Sequence, residues 1–227
     1  PHARDPSRDL YLDDHRLDGR PVLPAAMAVE LMAELAARGW PELRVDEVRG
    51  FRLLRGLVLH DGPRPLTVRA TPSTHVEDGT IEVDVEIVDP AASVPAYRGT
   101  VVLAARWPDA PPAPFAEVDR LEPFPLGAAG AYAELLFHGP RWQCLTDIAG
   151  LSETGIVATV RASTPAACLA APAADAWVLD PVVVDAAPQL AIVWARVRRG
   201  ITPLPARFAR LRVFGPLSPD ERLTVHL

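Results

Sequence analysis

The chain has 227 residues, enough for one large domain or for two small ones that each approach the practical size of a stable core. Hydrophobic residues make up 49% and charged residues 23%, which excludes a disordered chain, and no apolar run reaches the roughly 18 residues of a membrane span. The formal charge of −6 argues against a nucleic-acid partner. Because the N-terminus also lacks a signal-peptide pattern, we expect a cytoplasmic protein.

The two cysteines, Cys144 and Cys168, are far apart and have no CxxC spacing. This pattern argues against both a disulfide scaffold and a zinc site, and it predicts free thiols. The first residue is not Met, which suggests that the chain is part of a longer polypeptide.

The first half of the chain predicts one apolar helix followed by strands. The helix runs from Ala25, with Pro24 at its start and Gly39 just past its end. Its charged residues, Glu30, Glu34 and Arg38, are spaced by four, so one narrow stripe is expected to face solvent. Apolar alternation and β-rich composition then predict strands at 47–54, 66–71, 80–88 and 97–106. A buried helix followed by such strands indicates a sheet wrapped around the helix.

The second half repeats this plan after a proline-rich segment. Residues 108–125 contain six prolines and predict an extended linker. Strands are expected at 141–151 and 155–162, then a helix at 184–199 stopped by Gly200, then strands at 206–214 and 222–227. The sequence therefore predicts an α+β fold of two fused units, 1–107 and 126–227. The second unit is short of strands after Leu227, so we expect further residues beyond it or missing within it.

A candidate base lies just before the first helix. His15 is followed by Gly19 and then by Pro24. A free imidazole accepts a proton near neutral pH, Gly19 allows a sharp turn, and Pro24 suits a helix start. The free N–H groups of that first helical turn could polarise a carbonyl and so acidify the neighbouring carbon.

A candidate acid lies at the start of the second helix. Asp185 and Gln189 are four residues apart on one helical face, where the amide can hydrogen-bond the carboxyl group. The apolar neighbours of Asp185 predict a raised pKa, which a proton donor at neutral pH needs. An Asp at this position could instead simply cap the helix. Asp180, which precedes Pro181, is interpreted as a carboxylate without a catalytic role.

With a third stretch, Phe137-His138-Gly139-Pro140-Arg141-Trp142-Gln143, these motifs resemble the dehydratase domain of polyketide synthases. His138-Gly139-Pro140 is similar in style to the iterative enediyne and polyunsaturated-fatty-acid synthases, since modular polyketide dehydratases usually have Tyr-Gly-Pro. The resemblance implies a double hot dog, two fused units in which an antiparallel sheet wraps a central apolar helix. It also implies elimination of water from a 3-hydroxyacyl thioester, with His15 removing the α-proton and Asp185 protonating the β-hydroxyl.

The resemblance implies supporting roles and partners as well. His138 would replace the tyrosine hydroxyl near the β-hydroxyl, and Gly139, followed by Pro140, would give its N–H to the substrate. No cofactor or metal is expected, because the phosphopantetheine arm of an acyl carrier protein delivers the substrate; Asp13, Asp14 and Asp18 are interpreted as surface acids. The other expected partners are further domains of a multidomain synthase and a possible homodimer, with no membrane partner. An acid-free stretch suggests carrier docking at Arg207, Arg210 and Arg212.

Two alternatives remain open from the sequence. One keeps the fold but makes the chain a product-template-type cyclase or a double-bond isomerase. The other is an architectural domain that has lost activity, which the intact His15 and Asp185 argue against. A 3-hydroxyacyl thioester separates them, because only a dehydratase forms the enoyl product and releases water.

Overall fold

The computed structural model describes residues 2–4, 7–59, 63–73, 79–92, 94–111, 118 and 120–227. Within these ranges the helices are α1 (Ala25–Gly39), α2 (Gly127–Glu134), α3 (Pro165–Cys168), α4 (Pro181–Val184) and α5 (Ala186–Arg199). The strands are β1 (His2–Arg4), β2 (Arg16–Leu17), β3 (Arg20–Pro21), β4 (Arg44–Leu53), β5 (Arg64–Pro72), β6 (Ile81–Val88), β7 (Tyr97–Ala104), β8 (Leu145–Leu151), β9 (Ile156–Arg161), β10 (Arg210–Arg212) and β11 (Arg222–His226).

The first unit is an antiparallel sheet packed on α1. Its six strands lie in the order β1-β5-β6-β7-β4-β10, and α1 contacts β4, β5, β6 and β7. The alternation in β6 places Val83, Val85 and Ile87 in the core, where each is fully buried. The expected helix and the four expected strands of this half are present, with ends shifted by a few residues.

The charged stripe of α1 differs from its predicted exposure. Glu34 and Arg38 pair with each other near solvent, but Glu30 is only 3% exposed. Its two carboxylate oxygens accept the backbone N–H groups of Val178 and Leu179, at 2.9 and 2.6 Å. The expectation that the whole stripe faces solvent is therefore wrong, because the segment before α4 covers Glu30, the first residue of the stripe.

The second unit packs α2 and α5 against the sheet β11-β9-β8. α5 ends at Gly200, whose φ of +67° suits a glycine cap, as the sequence predicts. The predicted strand at 141–151 is shorter, since 140–142 form a 3₁₀ turn before β8. α2 is absent from the sequence prediction, because its small residues Gly127, Ala128 and Ala129 carry no helical hydrophobic pattern.

The two units are joined through β10. This strand follows α5 in the chain, yet it pairs with β4 of the first unit, with Leu211 opposite Val48. The strand predicted at 206–214 therefore shrinks to three residues that extend the first sheet. The proposed boundaries, 1–107, 108–125 and 126–227, stay a prediction, because 112–117 and 119 of the linker lie outside the described residues.

Candidate active site

A tight hairpin holds His15. β2 and β3 pair directly, and the two residues between them, Asp18 and Gly19, have φ values of +50° and +74°. Two consecutive positive φ angles define the hairpin turn for which an Asp-Gly pair is the common sequence. The turn brings Val22 back against His15, where the Val22 N–H donates to the His15 carbonyl at 3.1 Å.

The same hairpin determines which nitrogen of His15 is free. His15 Nδ1 lies 3.0 Å from the Val22 carbonyl oxygen, which can only accept, so Nδ1 carries the proton. Nε2 then keeps its lone pair. Burial lowers the pKa of His15 to about 4, against smaller raising effects from the Asp185 charge and the Val22 bond. His15 is therefore a neutral imidazole at pH 7, in the form that can accept a proton.

Asp185 lies between α4 and α5 and is 4% exposed. Its side chain forms no capping hydrogen bond with α5, which removes the simple capping explanation for this residue. Instead, Oδ2 accepts hydrogen bonds from two side chains: His138 Nε2 lies 3.1 Å away and Gln189 Nε2 lies 2.9 Å away. Neither of these bonds engages Oδ1.

The amide of Gln189 is held in one orientation by Tyr132 of α2. The Leu145 N–H donates to the Tyr132 hydroxyl at 2.9 Å, so that hydroxyl uses its own hydrogen to donate to Gln189 Oε1 at 2.8 Å. The amide nitrogen must then face the other way, towards Asp185 and the Trp142 carbonyl, which is 2.9 Å from it. Tyr132 carries no motif that sequence reasoning could have recognised.

The charge state of Asp185 differs from the one predicted. Burial raises the pKa of its carboxyl, as expected, but the hydrogen bond and charge of His138, the hydrogen bond of Gln189 and the charge of His15 lower it more. The net pKa lies below its ordinary value, so Asp185 is ionised at neutral pH in the free domain. The predicted rise is wrong, because the neighbours of Asp185 in the sequence are apolar whereas its neighbours in space are donors.

His138 lies between the candidate base and the candidate acid in a chain of contacts. Its backbone pairs with that of His15 across an isolated antiparallel bridge, and the two rings have centroids 5.6 Å apart. The ring is 5% exposed, and its Nε2 contacts Asp185. Among the described residues, His138 Nδ1 has no hydrogen-bond partner although it is buried. His15 and Asp185, 170 residues apart in the chain, thus both lie close to one imidazole.

Gly139 serves a different purpose from the one expected. Its N–H donates to the Asp14 carbonyl at 2.8 Å, so this donor is not available to a substrate. A Cβ on Gly139 would overlap the Asp14 carboxylate. The same carboxylate accepts from Arg141 Nη1 at 2.8 Å. The Gly139-Pro140 pair therefore allows the two units, and not a ligand, to approach closely.

Trp142 packs close to the His15 ring. It is fully buried, its Nε1 donates to the Tyr11 carbonyl at 3.0 Å, and its ring centroid lies 5.7 Å from that of His15. The Phe137 ring also packs nearby, with its centroid 5.2 Å from that of His15. Apolar rings around His15 explain why burial dominates its pKa.

Asp180 anchors the segment that carries Asp185. It caps α4 by accepting from Val182 N–H at 2.9 Å, and it also accepts from the Ser163 hydroxyl at 2.8 Å. Both contacts are structural, in keeping with its interpretation as a carboxylate outside the chemistry. Together with Glu30, which holds residues 178 and 179, Asp180 fixes the approach to α4.

The arginines proposed for carrier docking have different contacts. Arg210 Nε lies 2.7 Å from Glu47 Oε1 and Arg212 Nε lies 3.5 Å from Glu47 Oε2, so both help to join β10 to β4. Arg207 is exposed and forms no ion pair within the described part of the chain. Arg207 is therefore the one of the three whose charge is available to a partner.

Neither of the two described cavities is lined by His15, His138, Asp185 or Gln189. The larger, about 630 Å³, lies between the charged stripe of α1 and residues 165–178, and the smaller, about 380 Å³, lies near β10. The described residues contain no group of three His, Cys, Asp or Glu side chains that could hold a metal ion. In the ranges that the structure covers, no helix combines the length and apolarity needed to cross a membrane.

Comparison with known proteins gives two family matches. The model described as the polyketide synthase dehydratase N-terminal domain matches residues 112–227, and the model described as the polyketide synthase dehydratase domain matches residues 4–87. The first match alone spans just over half of the chain. The chain is also 30% identical over 224 residues to a polyunsaturated fatty acid synthase polypeptide of Thraustochytrium sp., covering 96% of this chain but only 8% of that protein.

Solved structures with the same fold include dehydratase domains. The dehydratase domain from the CurJ module of the curacin polyketide synthase aligns with a TM-score of 0.72 at 16% identity, covering 99% of this chain and 76% of that one. A variant of the PpsC dehydratase domain from Mycobacterium tuberculosis aligns with a TM-score of 0.65 at 22% identity, covering 94% and 75%. These similarities confirm the expected double hot dog fold.

Proposed function

The chain belongs to the polyketide synthase dehydratase family, and on that premise we propose that it removes water from a 3-hydroxyacyl thioester carried by an acyl carrier protein. The product is a 2-enoyl thioester. The observation that carries the proposal is the contact chain from His15 through His138 to Asp185, which puts a neutral base and a carboxyl group at one buried site.

His15 acts as the base in this proposal. Its Nε2 takes the proton from the α-carbon, and the Val22 carbonyl stabilises the imidazolium that forms by accepting from Nδ1. The N–H groups at the first turn of α1, which begins at Ala25 after Pro24, are suited to polarise the thioester carbonyl. Gly19 contributes indirectly, through the turn that sets the Val22 carbonyl.

Asp185 gives a proton to the departing β-hydroxyl. Oδ2 is held by His138 and Gln189, which leaves Oδ1 to meet the hydroxyl oxygen. General acids and bases of this kind typically contribute about 10²- to 10⁴-fold to the rate. No cofactor or metal takes part, because the carrier arm supplies the activated thioester.

The wider setting is part of the proposal. The relative in Thraustochytrium sp. belongs to a synthase, and this chain would cover about a twelfth of it, so we propose a domain of a multidomain synthase that makes a polyketide or a polyunsaturated fatty acid in the cytoplasm. A homodimer stays a prediction.

The direct test is turnover of a 3-hydroxyacyl thioester. The reaction is monitored by mass spectrometry, as the loss of one water from the acyl group, and by the appearance of enoyl absorbance. The wild-type domain should form the enoyl product, and His15→Ala and Asp185→Asn should each reduce kcat about 10²-fold or more while the domain still unfolds cooperatively. Cyclised or isomerised product without loss of water would instead support the cyclase or isomerase alternative. No turnover of any thioester would support an inactive architectural domain.

Docking of the carrier is proposed on the face that includes Arg207, with a smaller part for Arg210 and Arg212, whose charges Glu47 partly neutralises. Arg207→Glu should raise KM for a carrier-bound substrate, most at low salt, and leave a small-molecule thioester unaffected. Arg222→Glu, an exposed arginine on the other sheet, is the matched control. Equal effects on both substrates would argue against docking at this face.

A further inference from the structure

The acid at this site lacks a resident proton. Asp185 accepts two hydrogen bonds on one oxygen, from His138 and Gln189, and such an arrangement favours the carboxylate. A carboxylate cannot protonate a leaving hydroxyl. Gln189 cannot supply the proton, because an amide does not titrate, so the supply must come from another neighbour.

His138 is the titratable group in hydrogen-bond contact with that carboxylate. Its Nε2 lies 3.1 Å from Asp185 Oδ2, and both side chains are at least 95% buried. An imidazole carries or releases a proton near neutral pH more readily than any other side chain. We propose that His138 and Asp185 form the acid as a pair that shares one proton, so that His138 is a catalytic residue and not only a substrate contact. The proposal rests on the proposed function, whose acid it completes.

The unpartnered nitrogen of His138 supports this role. Nδ1 is buried and has no hydrogen-bond partner within the described residues. An unsatisfied buried polar atom costs about 1 to 3 kcal/mol, so a purely structural histidine would be expected to satisfy it. With no bond at Nδ1, this nitrogen can gain or lose a proton without breaking a contact.

The surroundings of the pair favour a proton shared by these two groups. His15 faces it from the loop before β2, and its lowered pKa keeps it neutral above about pH 4. Tyr132 of α2 and Cys144, just before β8, also lie close. Burial raises the pKa of the Tyr132 hydroxyl, and burial raises the pKa of the Cys144 thiol to about 12, so both stay protonated and uncharged. Asp14 is already paired with Arg141.

The proton balance closes over one turnover. The α C–H bond breaks, its proton bonds to His15 Nε2, and its electron pair forms the α–β double bond. The β C–O bond breaks with its electrons on oxygen, and that oxygen takes the shared proton and leaves as water. The pair is left as a neutral imidazole and a carboxylate. The proton on His15 then returns to the pair, so the cycle neither consumes nor releases protons.

The test compares His138→Gln with the wild type. Glutamine can still donate an N–H to Asp185, but it cannot store a proton. We expect kcat to fall about 10²- to 10⁴-fold with little change in KM, and the high-pH limb of the rate profile to move to lower pH, because Asp185 alone loses its proton earlier. His226→Gln, the same change on β11, is the control and should leave the profile unchanged.

A second variant separates proton storage from shape. His138→Ala should be rescued by added imidazole, but not by pyrazole, which has nearly the same shape and is not protonated near neutral pH. Ring ¹⁵N and carboxyl ¹³C spectra of the wild type should show His138 and the Asp185 carboxyl changing protonation over one common pH range, and this measurement needs no variant to fold.

Three results would overturn the pair. The first is a pH–rate profile of His138→Gln that is not shifted and has a near-wild-type rate. The second is equal rescue of His138→Ala by imidazole and by pyrazole. The third is separate titration of His138 and Asp185 in the wild type. A wild-type domain that converts no 3-hydroxyacyl thioester would instead refute the proposed function itself.

Discussion

At the residue scale, one carbonyl and three rings determine the protonation state of His15, the proposed base. The Val22 carbonyl fixes the proton on His15 Nδ1, and the rings of Phe137, His138 and Trp142 exclude water from the imidazole. A solvated histidine would be partly protonated at pH 6, whereas this one is neutral. The site therefore keeps its base available over a wide pH range.

This state predicts the acid limb of the rate profile. Because burial lowers the pKa of His15 to about 4, kcat/KM of the wild type should fall only as the pH drops towards 4, and not near 6.5. The stability that His15 contributes should also decrease between pH 6.5 and 4, since the unfolded chain binds the proton more tightly, so the unfolding free energy of the wild type should fall relative to that of His15→Ala over this range. Rates and circular dichroism measured at each pH check both, and a rate limb near pH 6.5 in a fully folded domain would contradict the buried base.

Tyr132 and Gln189 should act as one unit. Tyr132→Phe removes the donor that orients the Gln189 amide, so we expect kcat to fall about 5-fold, which corresponds to the net value of one hydrogen bond of about 1 kcal/mol. Gln189→Ala should have a similar effect, smaller than that of Asp185→Asn. The double variant should be little worse than either single variant. Full additivity in this cycle would mean that Tyr132 acts independently of the amide.

At the element scale, the proposed catalytic side chains come from irregular segments that regular elements hold in place. The β2–β3 hairpin carries His15, the 3₁₀ turn at Pro140–Trp142 follows His138, and the junction of α4 and α5 carries Asp185. Each segment is fastened by long-range hydrogen bonds: Asp14 holds Gly139, and Glu30 holds the residues before α4. Loss of these hydrogen bonds would move the side chains that are proposed to transfer protons.

The fastening by Glu30 predicts an unusual dependence of stability on pH. Burial raises the pKa of Glu30 to about 8, against the lowering effect of the Leu179 and Val178 N–H groups. The stabilisation linked to its protonation is complete below the unfolded pKa of about 4.5 and is lost as the pH rises through about 8. The unfolding free energy of the wild type should therefore decrease between pH 6.5 and 8, above the range in which His15 titrates, and level off at higher pH.

Denaturant unfolding over this pH range checks the Glu30 prediction. Glu30→Gln should flatten the dependence, whereas Glu34→Gln, one turn further along the same helix and paired with Arg38 near solvent, should leave it intact. The same slope in the wild type and in Glu30→Gln would mean that another group titrates.

At the scale of the whole molecule, the site exists only because two units share their chain. The first unit supplies His15, the second supplies His138 and Asp185, and β10 returns from the second unit to the sheet of the first. Glu47, which is fully buried on β4, stabilises the pairing of β10 with β4, because its carboxylate forms ion pairs with Arg49, Arg210 and Arg212. The relative position of base and acid therefore depends on this join.

Glu47→Gln should weaken the join. We expect the free energy of unfolding to fall by about 2 kcal/mol. This is less than the 3 to 5 kcal/mol typically lost when a fully buried ion pair is broken, because the partly exposed arginines can be hydrated. The activity of the remaining folded protein should fall too, as the units shift relative to each other. Thermal unfolding and kcat measured together check this, with Glu82→Gln, which pairs only with Arg49 in this cluster, as the milder control. A stable but inactive variant would show that the join affects geometry alone.

Local patterns were sufficient for much of this protein. The period of β6, the apolar α1 and the Gly200 stop are encoded over a few residues, so the two-unit α+β plan could be predicted. His15, Asp185 and Gln189 could be singled out because spacing along a turn or a helix places them without knowledge of distant contacts. The Gln189 hydrogen bond to Asp185 follows from that spacing, four residues on one helical face.

Only the tertiary structure decided what these groups face. Asp185 has apolar neighbours in sequence, but His138 and Gln189 surround it in space, and this reverses the direction of its pKa. The N–H of Gly139 and the carboxylate of Glu30 were assigned to substrate and to solvent, yet both bind backbone groups more than 120 residues away in the chain. Hydrogen bonds and burial depend on distance in space, which chain folding sets. The sequence by itself therefore determined which residues are candidates for proton transfer, and the packing of the two units determined the protonation state of each candidate.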